Sequence, residues 1–132
     1  MSGVRLRLKR EEGSITIVAA AVLFLAVVLA LVATDVLNVL KAKARAQTAA
    51  DAAALAAAQE LALPSGLAPK EAAAEYARRN GARLVSCACV PGSRDASVEV
   101  EAHARLIFLP GERLVRGSAR AVVELGVSAA GP

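Results

Sequence analysis

The fold of this protein is decided by one unbroken run of helix-forming residues. Residues 14–34 read SITIVAAAVLFLAVVLALVAT, and residues 35–63 continue as DVLNVLKAKARAQTAADAAALAAAQELAL. The first stretch carries no charged side chain. At about 1.5 Å of rise per residue, a helix of this length crosses a hydrocarbon layer of roughly 30 Å. We therefore predict a single transmembrane helix over residues 14–34.

Basic residues in front of the span indicate its orientation. Residues 1–13 form a leader whose charged side chains are Arg5, Arg7, Lys9, Arg10, Glu11 and Glu12. Positive charge favours the cytoplasmic side, so we expect the N-terminus in the cytoplasm and the C-terminal region outside it, against the competing bias of Lys41, Lys43 and Arg45 on the far side. A cleaved secretory signal is the alternative, but the apolar run is long and Leu31 departs from the small-residue cleavage pattern.

Residues 35–63 contain no Gly or Pro and are rich in Ala, the strongest helix former. They predict an extended Ala-rich helix that continues the span and ends at Pro64. Within it alanines recur at every fourth position, at Ala42, Ala46, Ala50, Ala54 and Ala58. A strip of such small side chains lets two helix backbones approach closely, so we interpret it as a helix-packing face. The alternative is that Ala only fills a solvated helix.

Residues 64–132 have the pattern of a small α+β head with a Gly- and Pro-containing tail. Pro69 and Gly81 suit the first position and the C-terminal cap of a short helix over residues 70–80. The runs 83–90, 96–108 and 114–125 alternate apolar and polar residues and are separated by PGSRD and PGER turns. They predict a three-stranded antiparallel sheet, covered by the short helix or by the membrane-distal half of the long one.

Composition excludes several classes of function. A chain of 132 residues holds one domain with at most a short appendage, not a multidomain enzyme. Hydrophobic residues make up 56% of it and aromatic residues only 2%, which suits lipid contact better than a large soluble core. The net charge of +4 is too small and too dispersed to indicate nucleic-acid binding.

We predict no catalytic, cofactor or metal site. His103 is the one histidine, and it shares the polar face of its strand with Glu99, Glu101 and Arg105. Because no second ligand or nucleophile accompanies it, a solvated His fits better than a catalytic one. We therefore expect no enzyme activity and no small-molecule substrate.

Cys87 and Cys89 are the other chemically reactive residues. Outside the cytoplasm they would form a disulfide, either internal or intermolecular. Residues two apart in an extended strand are near the limit of disulfide reach, so an internal bridge would need a bend. The alternatives are two inert small residues, or redox or metal chemistry, although zinc takes about four ligands.

Two charged features have ordinary explanations. Arg78, Arg79 and Arg83 favour the C-terminus of the short helix electrostatically, the alternative being a patch for anionic lipid or a partner. Asp51, among the alanines, is interpreted as solvated. On a packing face it would need a partner such as Arg45 or a lysine of a neighbouring subunit, because acids are seldom buried unpaired.

Two segments resemble a known family. The leader ends in Arg10-Glu11-Glu12-Gly13 before the uncharged helix. Residues 47–58 read QTAADAAALAAA, in which the motif positions are Gln47, Ala50, Asp51, Ala54 and Leu55. The combination resembles the TadE/TadG-like proteins of tight-adherence (Flp) pilus assembly. It is most similar to an actinobacterial TadE-like group encoded near helicase and secretion genes, whose short members have a tail like residues 128–132.

The resemblance implies a pilin-like fold and a minor pilin or pseudopilin, which is a non-catalytic, membrane-anchored structural subunit of a pilus or secretion apparatus. Its partners would be the membrane and other subunits of the machine, including copies of itself, without a cofactor. It also implies that a prepilin peptidase cuts after Gly13 and leaves Ser14 as the new N-terminus. The chain has Val18 where many members have Glu at the fifth mature position. A second hypothesis is a single-pass, membrane-tethered module that binds an envelope partner.

Overall fold

The computed structural model describes residues 3–124 and residue 126, with side chains from Gly13 onward. In this part of the chain the elements are α1 (Gly3–Ala62), α2 (Pro69–Arg79), β1 (Arg83–Ala88), β2 (Asp95–Arg105) and β3 (Glu112–Val122). The predicted α+β class, with a long N-terminal helix, a short helix and a three-stranded antiparallel sheet, is confirmed. The tail at residues 128–132 and the charged side chains of the leader lie outside the described part.

Helix α1 is continuous over 60 residues. It begins at Gly3, so the leader backbone and the predicted span belong to the same helix. It ends just before Pro64, whose ring disfavours helical geometry in the residue that precedes it. Glu60 closes this end by accepting hydrogen bonds from the Ser65 hydroxyl at 2.6 Å and the Ser65 amide at 2.9 Å. These bonds lower the pKa of Glu60.

Helix α2 begins and ends as its turn residues predict. Pro69 is its first residue, and Gly81 follows it with φ +75°. This left-handed conformation lets the Ala82 amide reach back to the Ala77 carbonyl at 3.0 Å. The chain thereby reverses into β1.

The sheet has the order β1-β2-β3 with antiparallel neighbours. The inward positions of β2 are all buried: Ala96, Val98, Val100, Ala102 and Ala104. The strands are shorter than predicted. Strand β2 ends at Arg105 rather than at residue 108 because the next backbone amides bind a side chain of α1 instead of a neighbouring strand.

Helix α1 runs through the core of the head, between the sheet and α2. Residues 46–58 of α1 pack against β2 and β3, while α2 packs on α1 and beside β1. Most buried core side chains are alanines, and Val100 is the largest side chain that is fully buried. The membrane-distal half of α1 therefore packs in the same core as the sheet and α2 of the head.

Candidate assembly surface and head junction

The membrane half of α1, residues 14–34, presents its side chains outward. Its large apolar side chains are exposed in the single chain, as at Phe24 (72% exposed) and Leu23 (68% exposed). Among the described residues α1 is the one helix long and apolar enough to cross a membrane. Apolar exposure on this scale marks a surface that contacts lipid or protein.

The alanine strip predicted to pack two long helices lies inside the head. Its exposed fractions run from 0 to 5% at Ala42, Ala46, Ala50, Ala54 and Ala58. The neighbours of this face are the sheet and α2 of the same chain. The small side chains do allow close approach, but a second long helix cannot reach this strip without opening the head.

The closest approach of α1 to the sheet is at Gly117 in β3. A Cβ built on Gly117 would lie 2.4 Å from the carbonyl oxygen of Ala46 and 2.8 Å from the amide nitrogen of Gln47. Both are backbone atoms of α1, so any side chain here would push the helix off the sheet. Gly117 has a sequence signal of its own, because a Gly inside an apolar strand pattern indicates close backbone approach.

Polar side chains of α1 fasten it to the edge strand β3. Lys43 Nζ donates to the Arg116 carbonyl at 2.6 Å. Gln47 Nε2 donates to the Ser118 carbonyl at 3.0 Å and to Asp51 Oδ1 at 3.2 Å. Asp51 itself is exposed.

The positions of the resemblance motif therefore differ in what they touch. Ala50 and Ala54 are buried in the head core, with exposed fractions of 0 and 2%. Leu55 is 60% exposed, and Gln47 is bound to β3.

Asp35, to which the sequence suggested no role, joins the head to the membrane end of α1. It is 2% exposed. One carboxylate oxygen accepts the amide of Ile107 at 2.8 Å, and the other accepts those of Phe108 at 3.2 Å and Leu109 at 2.9 Å. These amides belong to the β2–β3 loop, residues 106–111. Three donors supply the partners that a buried carboxylate needs.

The hydrogen bonds also set the protonation of Asp35. The Ile107 amide, assisted by those of Leu109 and Phe108, lowers the pKa of this carboxyl against the opposing effect of burial. Asp35 is the first residue after the predicted span, so an ionised side chain there fixes the loop beside the end of the span. A lone acid directly after an apolar run is the sequence signal for such a contact.

Cys87 and Cys89 form a disulfide, with Cα atoms 5.3 Å apart. The bend that this internal bridge needs lies at the end of β1, which stops at Ala88. Both cysteines are half-buried against the head core. Among the described residues no three His, Cys, Asp or Glu side chains come together as metal ligands.

The outer face of the sheet is charged and open. Arg116 pairs with Glu99 at 3.0 Å, and Arg120 pairs with Asp95 at 2.7 Å. Between these pairs lies a shallow groove of about 550 Å³, lined by small residues that include Ser86, Ser97 and Ser118.

Two other residues that the sequence singled out, His103 and Glu101, lie on or beside this face. His103 is exposed, and its Nδ1 is 3.5 Å from Glu112. Glu101, which was predicted on the polar face of β2, is only 6% exposed, and its carboxylate pairs with Arg83.

The remaining arginines of the predicted basic cluster are engaged locally. Arg79 and Arg78 both pair with Glu75 on α2, at 2.9 and 3.0 Å. These hydrogen bonds lower the pKa of Glu75. The cluster is thus divided between α2 and the sheet, since Arg83 faces Glu101.

In a comparison with known proteins, the part of this chain that resembles a family lies within α1. No curated protein and no solved structure matches the chain significantly. One family model does match, over a little more than a third of the chain. The matched residues run from the expected leader cleavage site through the membrane half of α1 and most of its alanine core. Over residues 13–60 the chain is similar to the family described as putative Flp pilus-assembly TadE/G-like.

Proposed function

We propose that the protein is a TadE-like minor pilin or pseudopilin, a non-catalytic, single-pass membrane subunit of a pilus or secretion apparatus. The observation that carries this proposal is the family match over residues 13–60. The architecture supports it, because the matched segment is one helix that is lipid-accessible at one end and forms the core of a small α+β head at the other.

The membrane half of α1 is the proposed assembly surface. Its large side chains contact lipid before assembly and the helices of other subunits afterwards. The alanine strip does not take this part, since the head already covers it. Because α1 runs without a break from Gly3 to Ala62, a shift of its membrane half would carry the head with it.

The proposal places the N-terminus in the cytoplasm and the head outside. The basic leader favours this orientation, and the disulfide between Cys87 and Cys89 suits an oxidising compartment. Leader removal after Gly13 is part of the proposal, and the family match begins at this residue. Because Val18 has no carboxylate, apolar contacts of the membrane half would replace a charged docking contact.

Photocrosslinking in the native host tests the assembly surface. A p-benzoylphenylalanine at Phe24, which is 72% exposed on the membrane half, should give adducts with other machine subunits or with a second copy. The matched variant carries the same group at Ser118 on the outer face of the sheet. Adducts at Ser118 with lipid alone at Phe24 would contradict the proposal.

That opposite outcome would support the second candidate function, a membrane-tethered module for an envelope partner. The groove on the outer face, between Glu99 and Arg120, is the observation that favours it. Its charged rim and small floor would suit a polar protein segment.

Intact mass and N-terminal sequencing of the membrane-extracted protein test the processing step. A chain that starts at Ser14 supports removal of the leader. A chain that starts at Met1 or Ser2 contradicts it, and favours the membrane-tethered module over filament-type assembly.

A further inference from the structure

The β2–β3 loop has an apolar tip that the head does not cover. Residues 106–110 read LIFLP. Ile107 is 63% exposed, Phe108 50% and Leu109 54%. The loop between β1 and β2, at the other end of the sheet, contains the polar turn PGSR at residues 91–94. Three adjacent exposed apolar side chains on one turn are unusual in water and mark a contact surface.

The tip lies beside the last turn of the membrane half of α1. Asp35 holds the backbone of the tip through three amides. A helical side chain leans toward the helix N-terminus, so this carboxylate lies on the membrane side of its own turn. Leu109 lines an apolar cleft of about 290 Å³ together with Val32, which belongs to the predicted span, and Val36. The tip therefore lies at the same level along the axis of α1 as the last turn of the predicted span.

Basic side chains lie next to the tip, on its side toward the head. Arg105 ends β2 and Arg113 follows the loop at the start of β3, and both are exposed. A groove of about 290 Å³ beside Ile107 is lined by Lys41 and Arg45 as well as Arg105. Within residues 13–124 none of these four cations pairs with a carboxylate. Apolar side chains followed by cations are the arrangement that suits acyl chains followed by lipid phosphates.

We propose that the β2–β3 loop is a second membrane contact. Its tip inserts into the leaflet where the span ends, with Ile107, Phe108 and Leu109 among the upper acyl chains and the cations at the level of the phosphates. A head held by one helix could rotate and tilt over the membrane, whereas two contacts fix its orientation. The inference rests on the membrane anchoring in the proposed function and needs neither pilus assembly nor leader cleavage.

Tryptophan fluorescence of the full chain in lipid nanodiscs tests this contact, because the protein has no Trp of its own. The nanodiscs contain phosphatidylcholine and phosphatidylglycerol with brominated acyl chains. The test variant is Phe108→Trp. The control is Val90→Trp, which is 65% exposed and lies between β1 and β2. The anchor reference is Phe24→Trp.

Phe108→Trp should emit at shorter wavelength than Val90→Trp and be quenched by brominated lipid at least about fivefold more strongly, since only an inserted ring meets acyl chains. Ile107→Trp should repeat the result if Phe108→Trp disturbs the circular dichroism spectrum. Equal quenching of the Phe108→Trp and Val90→Trp variants, with Phe24→Trp strongly quenched, overturns the second contact and leaves the anchor intact. Emission at shorter wavelength without bromine quenching also overturns it, because protein then covers the tip. An unquenched Phe24→Trp would refute the membrane anchor itself.

Discussion

The two halves of α1 have the same secondary structure and opposite surroundings. In the membrane half the large apolar side chains are exposed, as at Phe24 and Leu25. In the head half the inward side chains are alanines with almost no exposure, as at Ala46 and Ala53. Side-chain size along this apolar helix therefore depends on what the helix lies against.

The physical reason is the distance of the neighbouring backbone. Lipid chains are fluid and fill the space around a large side chain. The backbone of β3 is fixed by its sheet, and at Gly117 it touches the backbone of α1. Little volume remains between such elements, so Ala fits where Leu does not. Dispersion between densely packed atoms then supplies part of what a core of large side chains would otherwise give.

Gly117→Ala should have the largest effect on the packing of α1 against the sheet. Its methyl group would meet backbone atoms of Ala46 and Gln47, which cannot rotate away. We expect the free energy of unfolding of the head to fall by about 3 kcal/mol, at the upper end of the cost of overpacking. Denaturant titration in detergent, followed by circular dichroism, measures it.

Gly126→Ala is the matched control for that experiment. A Cβ built on Gly126 meets nothing within 4 Å, so the free energy of unfolding should change by no more than about 0.5 kcal/mol. If Gly117→Ala is as stable as this control, α1 does not lie against β3 as described.

A Leu placed in each half of α1 compares them directly. Ala50→Leu adds volume to a side chain with 0% exposure, and should lower the free energy of unfolding by about 2 kcal/mol. Ala20→Leu makes the same change at an exposed position of the membrane half and should leave head stability within about 0.5 kcal/mol. Thermal unfolding of both variants in the same detergent measures the difference. Equal stability of the two would mean that the alanine face is not packed in the head.

Asp35 lies at the boundary between the two halves of α1 and binds the β2–β3 loop. Asp35→Asn removes the charge that three loop amides bind, so hydrogen exchange at residues 107–109 should become about tenfold faster. Asp51→Asn, at an exposed acid of the same helix, is the control and should leave this exchange unchanged. Hydrogen exchange measured by NMR or mass spectrometry reports both.

The pH dependence of the same contact follows from the lowered pKa of Asp35. A carboxyl whose pKa is lower in the folded state than in the unfolded state stabilises the fold at pH values above its unfolded pKa. This contribution is lost as the pH falls through the folded pKa. The protection factors of residues 107–109 should therefore be constant from roughly pH 7 to pH 5 and decrease below about pH 4. Asp35→Asn should remove the decrease. A wild-type loop whose protection does not change at low pH would contradict the contact.

Much of the fold could be predicted because the relevant signals are local. Uncharged length predicts the span, Pro69 and Gly81 predict the bounds of α2, and alternation predicts which residues of β2 face inward. The ends of the strands were less predictable. An apolar run such as residues 106–108 has the pattern of a continuing strand. Its amides instead bind the side chain of Asp35, which is distant in sequence, so they do not pair with a neighbouring strand.

The candidate site was predicted less completely than the fold. The alanine strip was identified from its period, but its partner proved to be the chain's own sheet. Period and side-chain size show that some backbone comes close, without showing which backbone. Glu101 illustrates the same limit, because its burial depends on Arg83 in the neighbouring strand.

The amino-acid sequence alone predicts the long helix, the apolar length of its membrane half, the α+β pattern of the head and the family likeness, because each depends on neighbours along the chain. Three other features depend on tertiary contacts: the alanine face packs on β3, Gly117 is the point of closest approach, and Asp35 holds an apolar loop beside the membrane end of α1. These depend on residues more than 70 positions apart, and their meeting is set by packing and by the hydrogen-bond demand of a buried carboxylate.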